Sequence, residues 1–289
     1  MKTEKSLILL VLGAIVLGAA PILVRLSEVG PLATGFWRLA LSLPILGILC
    51  LQQKSMQPAL KSRLNIRDYL WVLWAGVWFA ADIAVWHFSL SYTTVAVATI
   101  LMNCSPVFLA LWHWLVLGEA PQKKLLAGLS LAIVGMVLLV KPGLQVDKGT
   151  LYGALLALLS AVFYAIYLFI ISRARQKFTA ISIMTLSTST SMLSMGAMVG
   201  IVGERLMPST LTAWWVVVGL AWLVHVLGQG LVAQALSNVP VTISAAVLLI
   251  QPVISSMVGH WLFGESLDGL QMLGVVMTLM GLYAVSQTR

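Results

Sequence analysis

The feature that most constrains this chain is an internal repeat with an offset of 146 residues. At that offset, residues of the first half fall on identical residues of the second half. The matched pairs are Ser91 and Ser237, Val95 and Val241, Pro106 and Pro252, Val107 and Val253, Gly118 and Gly264, Glu119 and Glu265, Gly128 and Gly274, and Gly135 and Gly281. The repeat predicts two copies of one structural unit, at residues 1–141 and 148–289.

Both halves consist of apolar runs that are long enough to cross a membrane, which takes about 20 residues per helix. The runs lie at 6–24, 32–51, 69–90, 95–117, 124–140, 150–171, 181–202, 212–235, 241–263 and 270–286. Each half holds five runs, and because five is odd the second half must enter the membrane in the opposite orientation. We therefore expect an all-α polytopic membrane protein with ten transmembrane helices in two inverted five-helix repeats. Inverted repeats of this kind are the architecture of secondary transporters.

The composition excludes a soluble protein. Hydrophobic residues make up 60% of the chain and charged residues 9%, whereas soluble domains average about 25% charged residues. The ten runs and their short connectors use all 289 residues, so no segment remains for a soluble catalytic domain. The interaction partners expected from composition are therefore the lipid bilayer and a small-molecule solute.

The net charge of +8 lies in the connectors and sets the orientation instead of indicating a nucleic-acid partner. If the N-terminus is placed inside, twelve Lys and Arg residues face the cytoplasm and four lie outside. Cytoplasmic connectors of membrane proteins carry an excess of Lys and Arg. The sequence therefore predicts that both termini are cytoplasmic, in a bacterial inner (plasma) membrane.

The two cysteines do not form a redox or metal framework. Cys50 and Cys104 both lie within apolar runs, and no His-x-x-x-His or cysteine cluster is present. A nucleotide-binding motif is also absent from the sequence. We therefore expect no metal, no cofactor and no enzymatic activity, and an ion or solute gradient as the energy source.

The repeated motifs resemble those of a known transporter family. Leu115-Val116-Leu117-Gly118-Glu119 and Trp261-Leu262-Phe263-Gly264-Glu265 each follow a proline thirteen residues upstream of the glutamate and precede a glycine-spaced run. In these motifs the chain is similar to the ten-helix EamA-type branch of the drug/metabolite transporter superfamily. The resemblance implies a two-fold inverted-repeat bundle that exports or exchanges small metabolites, without specifying the metabolite.

The helix ends at Gly118 and Gly264 invite two interpretations. Glycine can end a helix in the left-handed conformation, and Glu119 and Glu265 then precede the next helix, where a carboxylate complements the helix dipole. Capping and orientation are the favoured interpretation, and a gate at each membrane face is the alternative.

Pro106 and Pro252 lie in the middle of the fourth and ninth runs, where a proline removes a backbone hydrogen bond and kinks the helix. Asn103 and Gln251 accompany these predicted kinks. Carbonyl groups freed at a kink can face a cavity, so a polar central site is one interpretation. Hydrogen bonding between helices is the other.

Asp82 is the acidic residue that lies deepest within an apolar run, and an ionisable residue at such a position is by default a functional candidate. Trp78, Asp82 and Trp86 follow an i, i+4, i+8 spacing. Two aromatic rings beside a carboxylate suit an organic cation or the ammonium group of an amino acid. Asp82 could instead accept a driving proton, or form a structural pair with a donor.

Several further polar residues within the apolar runs are candidates for the same site. His225 and Gln229 share an i, i+4 spacing in the eighth run, which mirrors the third, and we expect them to line the opposite wall. For Tyr164 and Tyr167 helix packing is the favoured interpretation. For Arg38, just inside the second run, extension of the side chain to the lipid headgroups is favoured over recruitment of an anion.

The function predicted from the sequence is gradient-driven transport by alternating access. The expected transporter exports small metabolites such as amino acids or related amphipathic solutes, with protons as a candidate coupling ion. An exchanger of phosphorylated sugars or nucleotide sugars ranks lower, because no Lys or Arg lies deep in the third, fourth, eighth or ninth run. An intramembrane enzyme, a channel and a structural membrane protein rank lower still.

Overall fold

The structure is a computed structural model that describes residues 2–56, 65–118, 122–140, 148–248, 250–263 and 268–286. Within these ranges the secondary structure is entirely helical. The ten helical spans are, in order, Lys2–Leu17 with Ala20–Arg25; Pro31–Ala40 with Leu43–Met56; Ile66–Tyr92; Val95–Met102 with Ser105–Leu117; Lys123–Val140; Lys148–Ala174; Ala180–Val202; Leu211–Gly219 with Leu220–Gln229 and Gly230–Ala235; Val241–Val247 with Ile250–Phe263; and Gly269–Ser286. We number them span 1 to span 10.

Each span coincides with one of the ten apolar runs, which confirms the predicted fold class. Six spans in the described ranges are long and apolar enough to cross a bilayer by themselves: spans 1, 2, 3, 6, 7 and 8. Spans 4, 9 and 10 contain shorter apolar helices, and span 5 is an apolar helix of 18 residues. The protein is therefore a multi-pass membrane protein.

Four spans are interrupted close to a proline. The first helical segments of spans 1, 2 and 4 end at Leu17, Ala40 and Met102. Each of these residues lies four positions before Pro21, Pro44 or Pro106, so it is the residue whose carbonyl group the proline leaves without its helical donor. Span 9 breaks between Val247 and Ile250, just before Pro252. The loss of one donor thus explains where spans 1, 2 and 4 break.

The contacts between spans repeat when each span is exchanged with its counterpart in the other half. Span 3 packs on span 6, and its counterpart span 8 packs on span 1. In the same way the contact of spans 7 and 3 matches that of spans 2 and 8, and the contact of spans 4 and 6 matches that of spans 9 and 1. Counterparts also meet directly, as spans 5 and 10, 2 and 7, and 4 and 9. This pattern is the one expected of two five-helix repeats related by a pseudo-two-fold axis.

Spans 5 and 10 approach each other most closely at the repeated glycines. A Cβ atom at Gly135 would lie 2.6 Å from the carbonyl oxygen of Gly274 and 2.6 Å from the amide nitrogen of Thr278. A Cβ atom at Gly281 would lie 2.5 Å from the carbonyl oxygen of Gly128. Small residues allow the backbones of membrane helices to touch, which replaces the hydrophobic driving force that lipid does not supply.

This contact predicts a position-specific cost for added methyl groups. We expect Gly135→Ala to lower the stability of the protein in detergent micelles by about 1–3 kcal/mol, because the methyl group overlaps backbone atoms of span 10. The measurement is thermal unfolding, in which size-exclusion chromatography quantifies the folded protein that remains after heating. Gly200→Ala in span 7 is the matched control, since a Cβ atom there meets nothing within 4 Å. Equal losses in both variants would contradict the close contact.

Candidate functional site

A small chamber lies at the interface of the two repeats, deep in the helical bundle. Its lining comes from spans 1, 2, 3, 4, 6, 8 and 9, and consists of Leu17, Ala20, Arg38, Phe79, Asp82, Ile83, Trp86, Met102, Tyr164, Gln229 and Gln251. Its free volume is about 20 Å³, which is room for about one water molecule. In this conformation the chamber is therefore closed around a volume smaller than any organic solute.

Asp82 lies in this chamber, on the middle of the unbroken span 3. Its side chain is 3% exposed, and the Ser160 hydroxyl group on span 6 donates a hydrogen bond of 2.5 Å to its carboxyl oxygen Oδ1. A buried carboxyl group needs such polar partners, because its removal from water is costly. Asp82 thus links a span of the first repeat to a span of the second.

Arg38 lies in the same chamber, and its predicted extension to the lipid headgroups is wrong. The residue is 4% exposed, on the buried face of the segment Pro31–Ala40. The guanidinium Nε has no hydrogen-bond partner among the described residues. The sequence offered a signal for this position, because an arginine eight residues into an apolar helix is by default a functional candidate. The short distance in sequence between Arg38 and the preceding connector favoured contact with the headgroups instead.

Two further donors in the chamber wall also lack partners in the described part of the chain. They are the indole Nε1 of Trp86 and the amide Nε2 of Gln251. Both side chains are buried, at 3% and 4% exposure. A buried donor without a partner loses about 1–3 kcal/mol relative to a hydrogen-bonded one. Together with Arg38, the chamber therefore presents three donors that a ligand with oxygen acceptors would satisfy.

Aromatic side chains form one side of the chamber. Phe79 stacks on Tyr167 with ring centroids 4.4 Å apart, and Tyr167 stacks on Tyr164 at 5.9 Å. Gln229, another chamber residue, lies 3.5 Å from the Tyr167 hydroxyl group, to which its amide donates. The packing role favoured for the two tyrosines describes Tyr167, whereas Tyr164 also reaches the chamber surface.

Span 8 contains a π-helical turn that positions two predicted site residues. The π-helix covers Leu220–Gln229 and includes His225 and Gln229. Such turns occur frequently at functional sites. His225 is buried and lies 2.8 Å from the Thr188 hydroxyl group of span 7, with its ring 5.5 Å from Phe79. His225 therefore packs against the chamber residue Phe79 without lining the chamber itself, whereas Gln229 lines the chamber. No feature of the sequence distinguished this turn from an α-helix.

Trp78 and Asn103, also predicted to bind substrate, do not line the chamber. Trp78 points sideways and packs against Trp74 and Phe163, with centroids 6.1 and 5.5 Å away. The reason is geometric: at 3.6 residues per turn, eight residues rotate a side chain by about 80°, so Trp78 and Trp86 face different neighbours. Asn103 is buried at the break of span 4, where its amide group donates 2.7 Å to the Thr99 carbonyl oxygen of its own helix.

Of the predicted kink and helix-end residues, Pro106, Pro252 and Gly118 are described by the structure and do not line the chamber. Pro106 and Pro252 are buried next to the breaks of spans 4 and 9. Gly118 directly follows the end of span 4 and has a left-handed φ of 69°, a conformation that glycine adopts without strain. Glu119, Gly264 and Glu265 lie outside the described residues.

At the end of the bundle that holds the N-terminus, side-chain contacts join the two repeats. Lys177 donates to Asp68 at 2.7 Å, and Thr179 donates to Gln53 at 2.6 Å. We call this group of contacts the N-side latch. It joins the last turns of span 2 and the first turn of span 3 to the connector of spans 6 and 7.

A related group, the opposite-side latch, joins the two repeats at the other end. Glu204 accepts a hydrogen bond of 2.9 Å from the backbone amide of Ala33, and Thr210 donates to Glu28 at 2.6 Å. Ala33 and Thr179 are repeat counterparts at the N-terminal ends of span 2 and span 7. Each latch therefore holds the N-terminal end of one of these two equivalent helices. The two ends of the bundle are therefore held together by equivalent parts of the fold, which use different side chains.

The arrangement has the parts of a binding chamber. Across the described ranges, no three His, Cys, Asp or Glu side chains come together in a way that could hold a metal ion. The chamber offers instead one acid, one base, free donors and an aromatic wall. These groups can bind a polar solute in a fixed orientation.

Comparison with known proteins identifies the family. The model of the EamA-like transporter family matches residues 4–141 and again residues 151–287. The chain therefore belongs to this family, whose members are transporters and not enzymes, and the resemblance seen in the motifs is confirmed.

Two curated relatives are named as an exporter and an efflux pump, and one solved structure shares the fold. The pseudopaline exporter CntI of Pseudomonas aeruginosa strain UCBPP-PA14 is 28% identical over 221 residues, 74% of each chain. A probable amino-acid metabolite efflux pump of Salmonella typhimurium is 25% identical over 197 residues, 64% of this chain and 65% of its own. One crystal structure shares the fold, with a TM-score of 0.75 over 98% of this chain and 97% of its own at 15% identity.

The two latches predict how the chamber becomes accessible. In a background with Cys50→Ser and Cys104→Ala, we expect a cysteine at the chamber residue Ala20 to react slowly with a membrane-impermeant maleimide. Adding Glu204→Ala should raise the labelling rate from one face of the membrane by at least about threefold. Adding Lys177→Gln should raise it by a similar factor from the other face. The measurement is labelling in right-side-out and inverted vesicles.

Arg205→Gln, an exposed neighbour of Glu204, is the control for nonspecific loosening. If both latch variants raised the labelling rate from the same face, or if the control matched them, the assignment of the latches to opposite ends would fail.

Proposed function

We propose that this member of the EamA-like transporter family is a gradient-driven exporter of small zwitterionic metabolites, such as amino acids and related amphipathic solutes. The observation that carries the proposal is the presence of Arg38 and Asp82 in one closed chamber at the repeat interface. A buried acid and a buried base that line the same cavity match the two charged groups of an amino acid.

The carboxylate of such a solute fits the side of the chamber that offers donors. A guanidinium group binds carboxylate in a bidentate, charge-assisted manner, and Arg38 has an Nε without a partner. The indole of Trp86 and the amide of Gln251 provide further donors for the same oxygen atoms. Binding would thus relieve three costly buried groups at once.

The ammonium group fits the side of the chamber formed by Asp82 and the aromatic rings. Ser160 bonds to Oδ1 of Asp82, and a carboxylate accepts several hydrogen bonds, so the group has capacity for an ammonium donor. Phe79 and Tyr164 also line the chamber, and aromatic faces attract cations and pack against apolar side chains. An amphipathic solute would therefore be held by charge at both ends and by contact along its apolar part.

The names of the two relatives support export and the class of solute. One is described as a pseudopaline exporter and the other as a probable amino-acid metabolite efflux pump. Both names describe those proteins, and they agree with the chemistry of the chamber in this chain.

Transport would proceed by alternating access, with the chamber opening to one side at a time. A free volume of about 20 Å³ requires the spans to move before a metabolite can enter. The two repeats would rock about the chamber, as in other inverted-repeat transporters. The breaks before Pro106 and Pro252 are the candidate hinges, and the helix ends at Glu119 and Glu265 are candidate gate elements on opposite faces.

The orientation in the membrane follows from the distribution of basic residues. The excess of Lys and Arg in the connectors on the N-terminal side favours a cytoplasmic location for both termini, in a bacterial inner membrane. The N-side latch of Asp68 and Lys177 would then close the cytoplasmic face.

An exchanger of phosphorylated sugars or nucleotide sugars is the second candidate, and the burial of Arg38 favours it more than the sequence suggested. A phosphate group would also satisfy the free donors of the chamber. However, Asp82 in the same chamber repels a doubly charged phosphate. We therefore rank this candidate below zwitterion export.

The proposal predicts the outcome of a growth-protection screen. Expression of the chain in a sensitive bacterial host should protect against toxic amino acids and zwitterionic amino-acid analogues, and not against cationic dyes or purine analogues. Protection should be lost in both Asp82→Ala and Arg38→Gln at equal expression, because each variant removes one of the two charge partners. The measurement is the inhibitory concentration of each compound.

Arg205→Gln, which changes an exposed charge outside the chamber, should keep full protection. Protection against cationic dyes that survives in Arg38→Gln would contradict recognition of a zwitterion. Accumulation of sugar phosphates in vesicles that contain the protein would favour the exchanger instead.

Proton coupling through Asp82 is the second prediction. A buried carboxyl group on the transport route is the usual carrier of protons in membrane transporters. In proteoliposomes, a proton gradient should drive amino-acid accumulation by the wild type at least about tenfold above equilibration, and Asp82→Asn should only equilibrate the solute. Accumulation by Asp82→Asn that still follows the proton gradient would rule out this role.

A further inference from the structure

A second, larger cavity lies outside the chamber, on the flank of the bundle between spans 3, 4 and 6. Its lining is apolar and consists of Trp71, Trp74, Trp78, Phe108, Leu109, Leu111, Trp112, Leu115, Val162, Ala165, Ile166, Phe169 and Ile170. We call it the lateral groove. Its free volume is about 680 Å³, which is far larger than that of the central chamber.

The lateral groove continues into a polar cavity at the N-terminal end of the bundle. The two cavities share Trp71, Phe169 and Ile170, and the polar one adds the side chains Asp68, Arg173, Gln176 and Lys177. We call the polar cavity the mouth of the groove. One continuous concave surface therefore has an apolar body and a charged opening.

The length of the groove matches one leaflet of a bilayer. Along span 6 it extends from Arg173 to Val162, which is eleven residues, or about 16 Å at 1.5 Å per residue. Half of a hydrocarbon core of about 30 Å is about 15 Å. A lipid with its headgroup at the mouth would thus place its acyl chains along the whole apolar part.

The charges at the mouth favour an anionic headgroup. Lys177 and Asp68 neutralise each other in an ion pair of 2.7 Å, which leaves the positive charge of Arg173. The Arg173 guanidinium carbon lies 5.5 Å from the centre of the Phe169 ring, so the guanidinium group stands at the boundary between mouth and groove. A planar guanidinium group binds phosphate in a bidentate manner, and basic pockets between membrane helices bind anionic lipid headgroups.

We infer that the lateral groove is a binding site for an anionic phospholipid, with its phosphate on Arg173 and its acyl chains against Trp74, Trp78 and Trp112. A zwitterionic phospholipid carries its own cation next to the phosphate, so it interacts less favourably with Arg173. The bound lipid fills the space between span 3 of the first repeat and span 6 of the second. The site is separate from the chamber, and the inference does not rest on the proposed substrate.

The test is lipid retention by the full-length protein, measured by native mass spectrometry. The purified protein is incubated with phosphatidylglycerol or with phosphatidylcholine of the same acyl chains. We expect the wild type to retain phosphatidylglycerol at least about threefold better, and Arg173→Gln to retain both lipids equally. Lys124→Gln removes an exposed positive charge at the same end of the bundle, outside the groove, and should behave like the wild type.

Equal retention of the two lipids by the wild type would overturn the inference, and so would an equal loss of phosphatidylglycerol in Arg173→Gln and Lys124→Gln. A second measurement on the wild type alone guards against misfolding of the variant. Because a ligand that binds the folded state stabilises it, phosphatidylglycerol should raise the unfolding temperature in detergent more than phosphatidylcholine does. An identical shift with both lipids would also overturn the anionic site.

Discussion

The structure depends on one constraint, which is that lipid cannot hydrogen-bond to an exposed backbone. Irregular backbone at membrane depth is tolerated only where it is buried in protein or lines a cavity. The four interrupted spans obey this rule, since each places a residue close to its break in the chamber wall: Ala20, Arg38, Met102 and Gln251. The prolines therefore do more than bend helices. They concentrate the irregular backbone of the bundle around the one place where a polar solute would bind.

The repeat builds a nearly symmetric scaffold and an asymmetric chamber. The repeat counterparts of Arg38, Asp82 and Trp86 are Met184, Gly228 and Val232. None of these counterparts carries a charge or a side-chain hydrogen-bond donor. Symmetric packing provides two equivalent ways of closing the bundle, while the chamber keeps a single polarity, with acid and base contributed by spans 3 and 2. That polarity suits a solute whose two ends differ.

Periodicity and apolar length were sufficient to predict the spans, because the bilayer leaves few other solutions for such runs. The same reasoning placed Asp82, Gln229 and Gln251 among the candidates, and these three residues do meet in the chamber. It failed for Trp78, since an i, i+8 pair in an α-helix diverges by about 80°. It also failed for Arg38, whose short distance from the connector in sequence says nothing about which face of the helix carries it. The π-helical segment of span 8 packs against spans 1 and 2, and no local sequence pattern distinguishes it from an α-helix.

On the proposed alternating-access mechanism, the two latches would explain how a small solute controls a movement of whole spans. Their contacts lie at the exposed or half-buried ends of the bundle, where ion pairs and hydrogen bonds are individually weak. The conformations that open one latch therefore need differ only modestly in free energy from the closed form. A ligand shifts such an equilibrium by its differential affinity for the states, and a solute that pairs with Arg38 and Asp82 bonds to groups on two neighbouring spans. On the proposed mechanism, charges that are costly when the chamber is empty would be the means by which binding changes the balance between the two ends.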